Sequence, residues 1–145
     1  MFKNALQRLI GSREPVKTYD LLRLQAKSYR LLKNEIDTYL KAYKISALDW
    51  MVLGLLHKTH EGLKFGDIAI ELGVEPPFVT ELVNGLEKRK YIAIKESLVD
   101  KRSKIVKLTN KAIKIISDVE KNLQSKLKSI NKNILSSKFT DRIIQ

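Results

Sequence analysis

The sequence predicts a mainly α-helical protein with one small β-hairpin, in which a compact lobe lies between two long helices. Three observations predict it. Apolar residues recur every three or four positions near both ends of the chain, two short helical patterns flank Gly73, and two β-like runs flank the polar segment Glu96–Lys104. The predicted organisation is therefore a helical arm at residues 1–45, a central lobe at 46–109 and C-terminal helices at 110–145.

Composition narrows the class of protein. The chain has 145 residues, of which 43% are hydrophobic, so a folded core is expected. Its formal charge of +12 and pI near 9.9 favour a polyanionic partner, either nucleic acid or an anionic membrane surface. The absence of cysteine excludes disulfides, thiolate zinc sites and cysteine-based redox sensing. No apolar run is long enough to span a bilayer, so we expect a cytoplasmic protein that does not enter the membrane.

Both long helices carry heptad-like apolar seams, the first between Thr18 and Tyr43 and the second beginning near Thr109. A chain of this size cannot easily bury two such seams against a small lobe, which predicts a two-fold homodimer. The alternative is that each seam packs within its own chain. The predicted dimer-interface residues are Leu22, Tyr29, Leu32, Ile36, Ile116, Val119, Leu123, Leu127, Ile130 and Ile134.

The central lobe begins with a helix that Ser46 and Asp49 are expected to cap and that ends near Gly62. Residues 63–65 have the pattern of a short strand. A compact helix follows at Asp67–Leu72, and Pro76-Pro77 open another, since proline is tolerated in the first turn of a helix.

The two short helices have the spacing of a helix–turn–helix. Gly73 tolerates the unusual backbone angles of the turn, Ala69 is small where two helices approach, and Val79 is placed to fill the angle between them. The β-like runs Tyr91–Lys95 and Ile105–Leu108 then predict a hairpin wing. This order of elements is typical of domains that dock on a DNA duplex.

The segment from Leu48 to Leu127 resembles the MarR family of winged-helix transcription regulators. The resemblance is carried by HKTHEGLKF, by the pair DIAIELGV and FVTELVNGLEKRKYI, and by the wing motif DKRS followed by VKLT. It implies a non-enzymatic, dimeric DNA-binding regulator, for which we predict a repressor role while activation stays the alternative. Small staphylococcal SarA-type regulators share the architecture and are a second label.

The wing is the most basic part of the predicted lobe. Between Lys88 and Lys107 there are eight Lys or Arg residues against two acids, Glu96 and Asp100. An arginine at a hairpin tip suits a narrow minor groove, so Arg102 is the predicted groove reader. Asp100 is predicted to hold the Arg102 guanidinium in a bidentate pair. Lys101, Ser103 and Lys104 are predicted phosphate contacts, and a solvated loop without a ligand is the alternative.

The second helix of the motif is acidic. From Gly66 to Glu87 there are five acids and no Lys or Arg. Base-reading side chains at groove-facing spacing are predicted to be Thr80, Glu81 and Asn84, since Asn can read adenine and Glu can accept from cytosine. The basic cluster Lys88, Arg89 and Lys90 at the end of this helix is predicted to hold phosphates.

The resemblance also implies an effector site, because many MarR regulators are released from DNA by small phenolic or lipophilic acids. The residues predicted to line it are Tyr39, Tyr43, Trp50, Met51 and His57. The alternative is that these side chains are ordinary core.

Metal and catalytic sites have little support in the sequence. His57, His60 and Glu61 would share one side of a helix, but zinc takes about four ligands and the chain has no other histidine. No phosphate-binding loop or nucleophile–base pattern is present, so we predict no enzyme activity, cofactor or metal. Two alternatives to a specific DNA regulator stay open: a winged-helix protein-interaction module and a sequence-tolerant architectural DNA binder.

Overall fold

The computed structural model describes residues 16–134, with side chains described as far as residue 128. These residues form an arm unit, residues 16–39 and 122–134, and a core unit, Leu40–Lys121. Predicted features at residues 1–15 and after 134 lie outside the described residues, as do the side chains of Ile130 and Ile134. No helix in the described part is long and apolar enough to cross a membrane.

The first long helix, α1, spans Thr18–Leu40 and is followed by a 3-10 turn at Lys41–Tyr43. The predicted single helix to Tyr43 is therefore wrong in its last turn. Lys44 adopts the left-handed conformation (φ 56°), and its backbone N–H donates to the Lys41 carbonyl, which tightens the chain and ends the helical run.

The arm unit leaves large apolar side chains in solvent. Leu22 is 70% exposed and Tyr29 is 47% exposed, while Leu32, Ile36 and Leu127 are half-buried. Leu123 is buried within the chain, and in the core unit so are Ile116 and Val119. Those three buried side chains offer no apolar surface to a second copy, and the two most exposed of the described interface residues, Leu22 and Tyr29, lie on α1.

The core unit opens with α2, Ala47–Lys58, and its predicted cap is confirmed. Asp49 N–H donates to the Ser46 hydroxyl at 3.0 Å, and Ser46 N–H donates to the Asp49 carboxylate at 2.9 Å. The predicted helix end near Gly62 is wrong, because the backbone turns extended at Thr59. The Thr59 hydroxyl donates to the Leu55 carbonyl at 3.1 Å and satisfies the open end of the helix.

The helix–turn–helix follows as α3, Phe65–Leu72, and α4, Pro76–Lys88. Gly73 ends α3 in the left-handed conformation (φ 67°), and its N–H and that of Val74 return to α3 carbonyls. Ala69 and Val79 are buried, as the spacing predicts. These contacts fix the angle between the two helices.

Three antiparallel strands complete the core unit: β1 at Leu63–Lys64, β2 at Ile92–Glu96 and β3 at Lys104–Leu108, in the order β1-β3-β2. Ile92 pairs with Leu108 at the base of the hairpin, and Glu96 pairs with Lys104 where the wing loop begins. The second long helix, α5, then spans Asn110–Ile134. The structure therefore has the predicted fold class, a winged helix with long flanking helices.

Gly62 and Gly73 both have positive φ, yet their surroundings differ. A Cβ at Gly62 would lie 2.6 Å from the Val106 carbonyl oxygen of β3, whereas a Cβ at Gly73 would meet nothing within 4 Å. Gly73→Ala should therefore cost only the left-handed strain, about 1–2 kcal/mol. Gly62→Ala adds a backbone clash and should cost roughly 3 kcal/mol or more. Urea unfolding followed by circular dichroism measures both, and equal losses would contradict the packing of Gly62 on β3.

Candidate nucleic-acid interface

The outer face of α4 carries the predicted base-reading residues. Thr80, Glu81 and Asn84 are exposed, whereas Val79 and Val83 on the opposite face are fully buried. Because the apolar face of α4 packs against the core, its polar face points to solvent. The Thr80 hydroxyl donates to the Pro76 carbonyl at 3.3 Å, so its oxygen is held close to the helix.

The same helix–turn–helix surface is acidic. Its glutamates at 71, 75, 81 and 87 are all exposed, and Asp67 at the start of α3 is exposed as well. These acids sit near the positions that would approach a duplex, and phosphates repel them. Affinity for a polyanion must therefore come from other parts of the core unit.

One surface depression brings α4 and the wing together. Thr80 and Asn84 of α4 line it with Ser103 and Lys104 of the wing, in a volume of about 390 Å³. Lys64 of β1 lies on the same wall, and sequence reasoning did not single it out. Lys64 reaches this position because it pairs with Ile105, which places β1 beside the hairpin. Since that pairing forms only in the folded sheet, the local sequence does not reveal it.

The wing loop is built by its own polar groups. Ser97 N–H donates to the Ser103 carbonyl at 2.8 Å, and Ser103 N–H donates to the Asp100 carbonyl at 3.0 Å. The Asp100 carboxylate accepts the backbone N–H of Arg102 at 3.0 Å and the Ser103 hydroxyl at 3.2 Å. Asp100 therefore shapes the loop as a turn-forming aspartate.

The predicted Asp100–Arg102 guanidinium pair is not formed. Both carboxylate oxygens of Asp100 serve the loop backbone and Ser103, and the ion pairs among the described residues do not include Arg102. Arg102, Lys101 and Lys104 are exposed, while Ser103 is half-buried. The guanidinium is thus presented to solvent by a loop whose backbone is fixed.

The tip of the wing is unexpectedly apolar. Leu98 and Val99 are fully exposed, at 104% and 98%, and Asp100 separates them from the basic pair Lys101 and Arg102. The sequence shows both residues, but their exposure depends on the loop geometry that Ser97 sets by accepting the N–H groups of Val99 and Asp100.

Arg89 has a structural role that its position in a basic cluster concealed. One guanidinium nitrogen donates to Asp49 at 3.0 Å and also to the Lys44 carbonyl, and Nε donates to the Gly85 carbonyl at 2.9 Å. Asp49 is only 4% exposed, so the pair neutralises a buried carboxylate. Two of its three guanidinium nitrogens therefore serve the fold, and the expectation that Arg89 also holds phosphate stays a prediction.

The two neighbours of Arg89 stay exposed at the end of α4. Lys88 closes the helix, and Lys90 adopts a left-handed conformation (φ 64°) where the chain turns into β2. The Lys90 carbonyl accepts the Thr109 hydroxyl at 2.7 Å, which ties this turn to the start of α5. Both ammonium groups are therefore placed at one corner of the core unit.

Tyr91 packs in the interior beside this corner of the core unit. It is buried, and its hydroxyl donates to the Tyr43 carbonyl at 2.9 Å. Burial raises the pKa of the Tyr91 phenol, partly offset by the positive charge of Arg89. The Lys111 ammonium lies 4.4 Å from the centre of the Tyr91 ring and donates to the Arg89 carbonyl at 3.0 Å.

The predicted effector residues are only partly brought together. Trp50, Met51 and His57 of α2 line a cavity of about 490 Å³, together with Gly54, Glu71 and Glu120. Tyr43 is not among its lining residues, and Tyr39 belongs to the arm unit, where the Lys126 ammonium lies 5.5 Å from its ring centre. Glu71 and Glu120 were not predicted, because they lie on α3 and α5, far from α2 in sequence.

The predicted helical alignment of His57, His60 and Glu61 does not occur, because α2 ends at Lys58. Within residues 16–134, no three His, Cys, Asp or Glu side chains lie close enough together to hold a metal ion.

Comparison with known proteins connects this geometry to one family. A model of the MarR family matches residues 43–103. A MarR-family transcriptional regulator from Rhodococcus sp. RHA1 superposes with a TM-score of 0.74 at 16% identity, covering 88% of this chain and 90% of that one. CouR from Rhodococcus jostii RHA1, bound to p-coumaroyl-CoA, gives 0.74 at 17% identity over 86% of each chain.

A DNA complex has the same fold. Reduced AbfR bound to DNA superposes with a TM-score of 0.68 at 20% identity, covering 74% of this chain and 76% of that one. At these identities the likeness shows that the chain has the winged-helix fold of MarR regulators.

The different surroundings of Arg89 and Lys88 predict unequal losses of stability on substitution. Arg89→Met leaves the Asp49 carboxylate buried without its partner and should lower the free energy of unfolding by about 2 kcal/mol. Lys88→Met removes an exposed charge and should change it by no more than about 0.5 kcal/mol. Urea unfolding distinguishes them, and an Arg89→Met protein as stable as the wild type would contradict the structural role.

Proposed function

We propose that this chain is a MarR-family transcription regulator that binds duplex DNA as a cytoplasmic homodimer. The observation that carries the proposal is the shared depression of the core unit. Thr80 and Asn84 of α4 line it opposite Ser103 and Lys104 of the wing, so a helix and a basic hairpin face the same space. A major groove admits a helix, and a minor groove admits an arginine from a hairpin. The SarA-type label stays a prediction.

Affinity and sequence reading are divided between elements in this proposal. Arg102 enters the minor groove, while Lys88, Lys90, Lys101 and Lys104 contact phosphates. Carboxylates close to DNA are repelled by phosphates, so the acidic α4 adds little affinity. Its contribution is base readout through Thr80, Glu81 and Asn84. The fully exposed Leu98 and Val99 at the wing tip suit a groove wall of sugar carbons better than bulk water.

The homodimer is supported by the arm unit. Leu22 and Tyr29 of α1 are 70% and 47% exposed, and exposed large apolar side chains on one long helix favour cover by a second copy. A two-fold dimer places its two α4 helices for half-sites about one DNA turn apart. An effector in the α2–α3–α5 cavity would act on the same lobe, since Glu71 of its lining belongs to the helix–turn–helix.

A second candidate is a winged-helix module that binds a basic protein. It is favoured by the exposed acids of α3 and α4, which form a surface of one sign on the face where a regulator normally meets DNA. A sequence-tolerant architectural DNA binder is the third, since a basic wing needs no base contacts.

Selection from a pool of random duplexes tests the three candidates together. The regulator should enrich a two-fold symmetric site, with half-sites about 10 base pairs apart. Binding of all duplexes without enrichment would favour the architectural binder. No retained duplex, even at low salt, would reject DNA binding and favour the protein-interaction module.

The wing is tested with the selected duplex. Arg102→Ala should weaken binding by about 1–3 kcal/mol if the guanidinium reads the groove. Lys114→Ala on the exposed side of α5 removes the same charge outside the interface and should have a much smaller effect. Equal losses of duplex affinity for the two variants would mean that Arg102 contributes only its charge and does not read the groove. Repeating the selection with Glu81→Ala tests cytosine readout, which an unchanged site preference would reject.

A further inference from the structure

The cavity beside Trp50 has the size and walls of a small-molecule site. Its volume of about 490 Å³ lies within the usual range for such sites, roughly 300–1,000 Å³. One side is formed by α2, with Trp50, Met51 and Gly54, and the other sides are formed by α3 and α5. Apolar side chains line it from all three helices, and so do polar ones: His57 and Lys58 of α2, Glu71 of α3 and Glu120 of α5.

The charges on these walls run against the charge of the whole chain. Glu71 of α3 and Glu120 of α5 line the cavity, and Lys58 is the single lysine or arginine in the lining. In formal charge, with histidine counted as neutral, the lining carries one net negative charge in a protein of +12. A small carboxylic acid would approach two carboxylates here, whereas a cation would be attracted to them.

Trp50 adds a second attraction for a cation. Its indole is half-buried on the cavity wall, and indole is the strongest side-chain partner for a positive charge above an aromatic face. Met51 provides a polarisable neighbour that adapts to irregular apolar shapes.

Gly54 keeps the space open. It lies within α2, where glycine is less stable than alanine, and a Cβ at this position would meet nothing within 4 Å. Neither a positive φ nor a close backbone approach requires glycine at this position. A side chain at 54 would instead project from the cavity wall, so glycine here preserves the volume.

We propose that this cavity binds a lipophilic cation, such as an aromatic quaternary ammonium, and that it disfavours the small acids implied by family resemblance. The aromatic part packs on Trp50 and Met51, and the positive group lies between Glu71 and Glu120. This inference rests on the effector site of the proposed function and names its ligand class, but it does not depend on DNA binding.

Trp50 makes the test direct, because it is the one tryptophan of the chain and lies on the cavity wall. Its fluorescence is titrated with benzyltrimethylammonium and, separately, with phenylacetate at equal ionic strength. The two probes share a benzyl group and differ in the sign of their charge. The ammonium should bind at least about tenfold more tightly, since a partly desolvated cation over an aromatic face is worth this order of affinity. Equal affinities, tighter phenylacetate binding, or binding of neither probe would overturn the proposal.

Charge variants locate the binding site. Glu120→Gln and Glu71→Gln should each weaken ammonium binding by about three- to tenfold, because each removes one nearby carboxylate. Glu61→Gln makes the same change at an exposed residue outside the lining and should leave it unaltered. Equal weakening by all three variants would mean that bulk charge attracts the probe, and the proposed site would be rejected.

Gly54→Leu fills the cavity without a backbone clash. It should abolish ammonium binding, measured by calorimetry because the new side chain lies one helical turn from Trp50, while the thermal midpoint does not fall. A Gly54→Leu protein that binds like the wild type would overturn the proposal. Gly54→Ala, with one added carbon, should retain the wild-type midpoint or better and weaker ammonium binding, so the space requirement is tested even if the larger variant misfolds.

Failure of this inference is separable from failure of the proposed function. Duplex binding is measured on the same protein without probe. Ammonium binding in a protein that retains no duplex would reject the DNA-binding regulator alone, and duplex binding in a protein that binds no ammonium would reject the lipophilic-cation site alone.

Discussion

The ion pair between Arg89 and Asp49 is the contact on which the geometry of the core unit depends. Asp49 caps α2 through Ser46 and is almost fully buried, so it needs a positive partner, and Arg89 supplies one from the end of α4 at 3.0 Å. The backbone around Arg89 accepts from Lys111 and Thr109 of the segment that starts α5. One residue thus connects the beginning of α2, the end of α4 and the turn into the wing.

This anchoring separates two kinds of basic residue that look alike in sequence. Arg89 stabilises the fold, while Lys88 and Lys90 on either side stay in solvent and Arg102 is presented by a loop that Asp100 holds from within. In the proposed DNA complex, the angle between α4 and the basic wing decides how close the acidic face of α4 comes to phosphates. A rigid corner at Arg89 provides that angle, which links the buried pair to the proposed division between affinity and base reading.

The sequence predicted those features that depend on local signals. The capping pair Ser46–Asp49, the left-handed Gly73 and the buried Val79 each follow from neighbours a few residues away, and all three are confirmed. The misplaced end of α1 concerns a single turn, where helix and 3-10 geometry differ little in energy, whereas α2 ends early because Thr59 is extended.

The features that were missed depend on partners that are distant in sequence or on exact loop geometry. Arg89 meets Asp49 across 40 residues, and Glu71 and Glu120 join Trp50 only after three helices pack together. Asp100 and Arg102 lie two residues apart, yet the Asp100 carboxylate accepts the backbone N–H of Arg102 and not its guanidinium. The salt dependence of duplex binding by the wild-type protein tests the central claim most directly. If Lys88, Lys90, Lys101 and Lys104 of two chains neutralise about eight phosphates, log K should fall with log salt at a slope of about −7. A slope near zero, or no binding at low salt, would contradict the account.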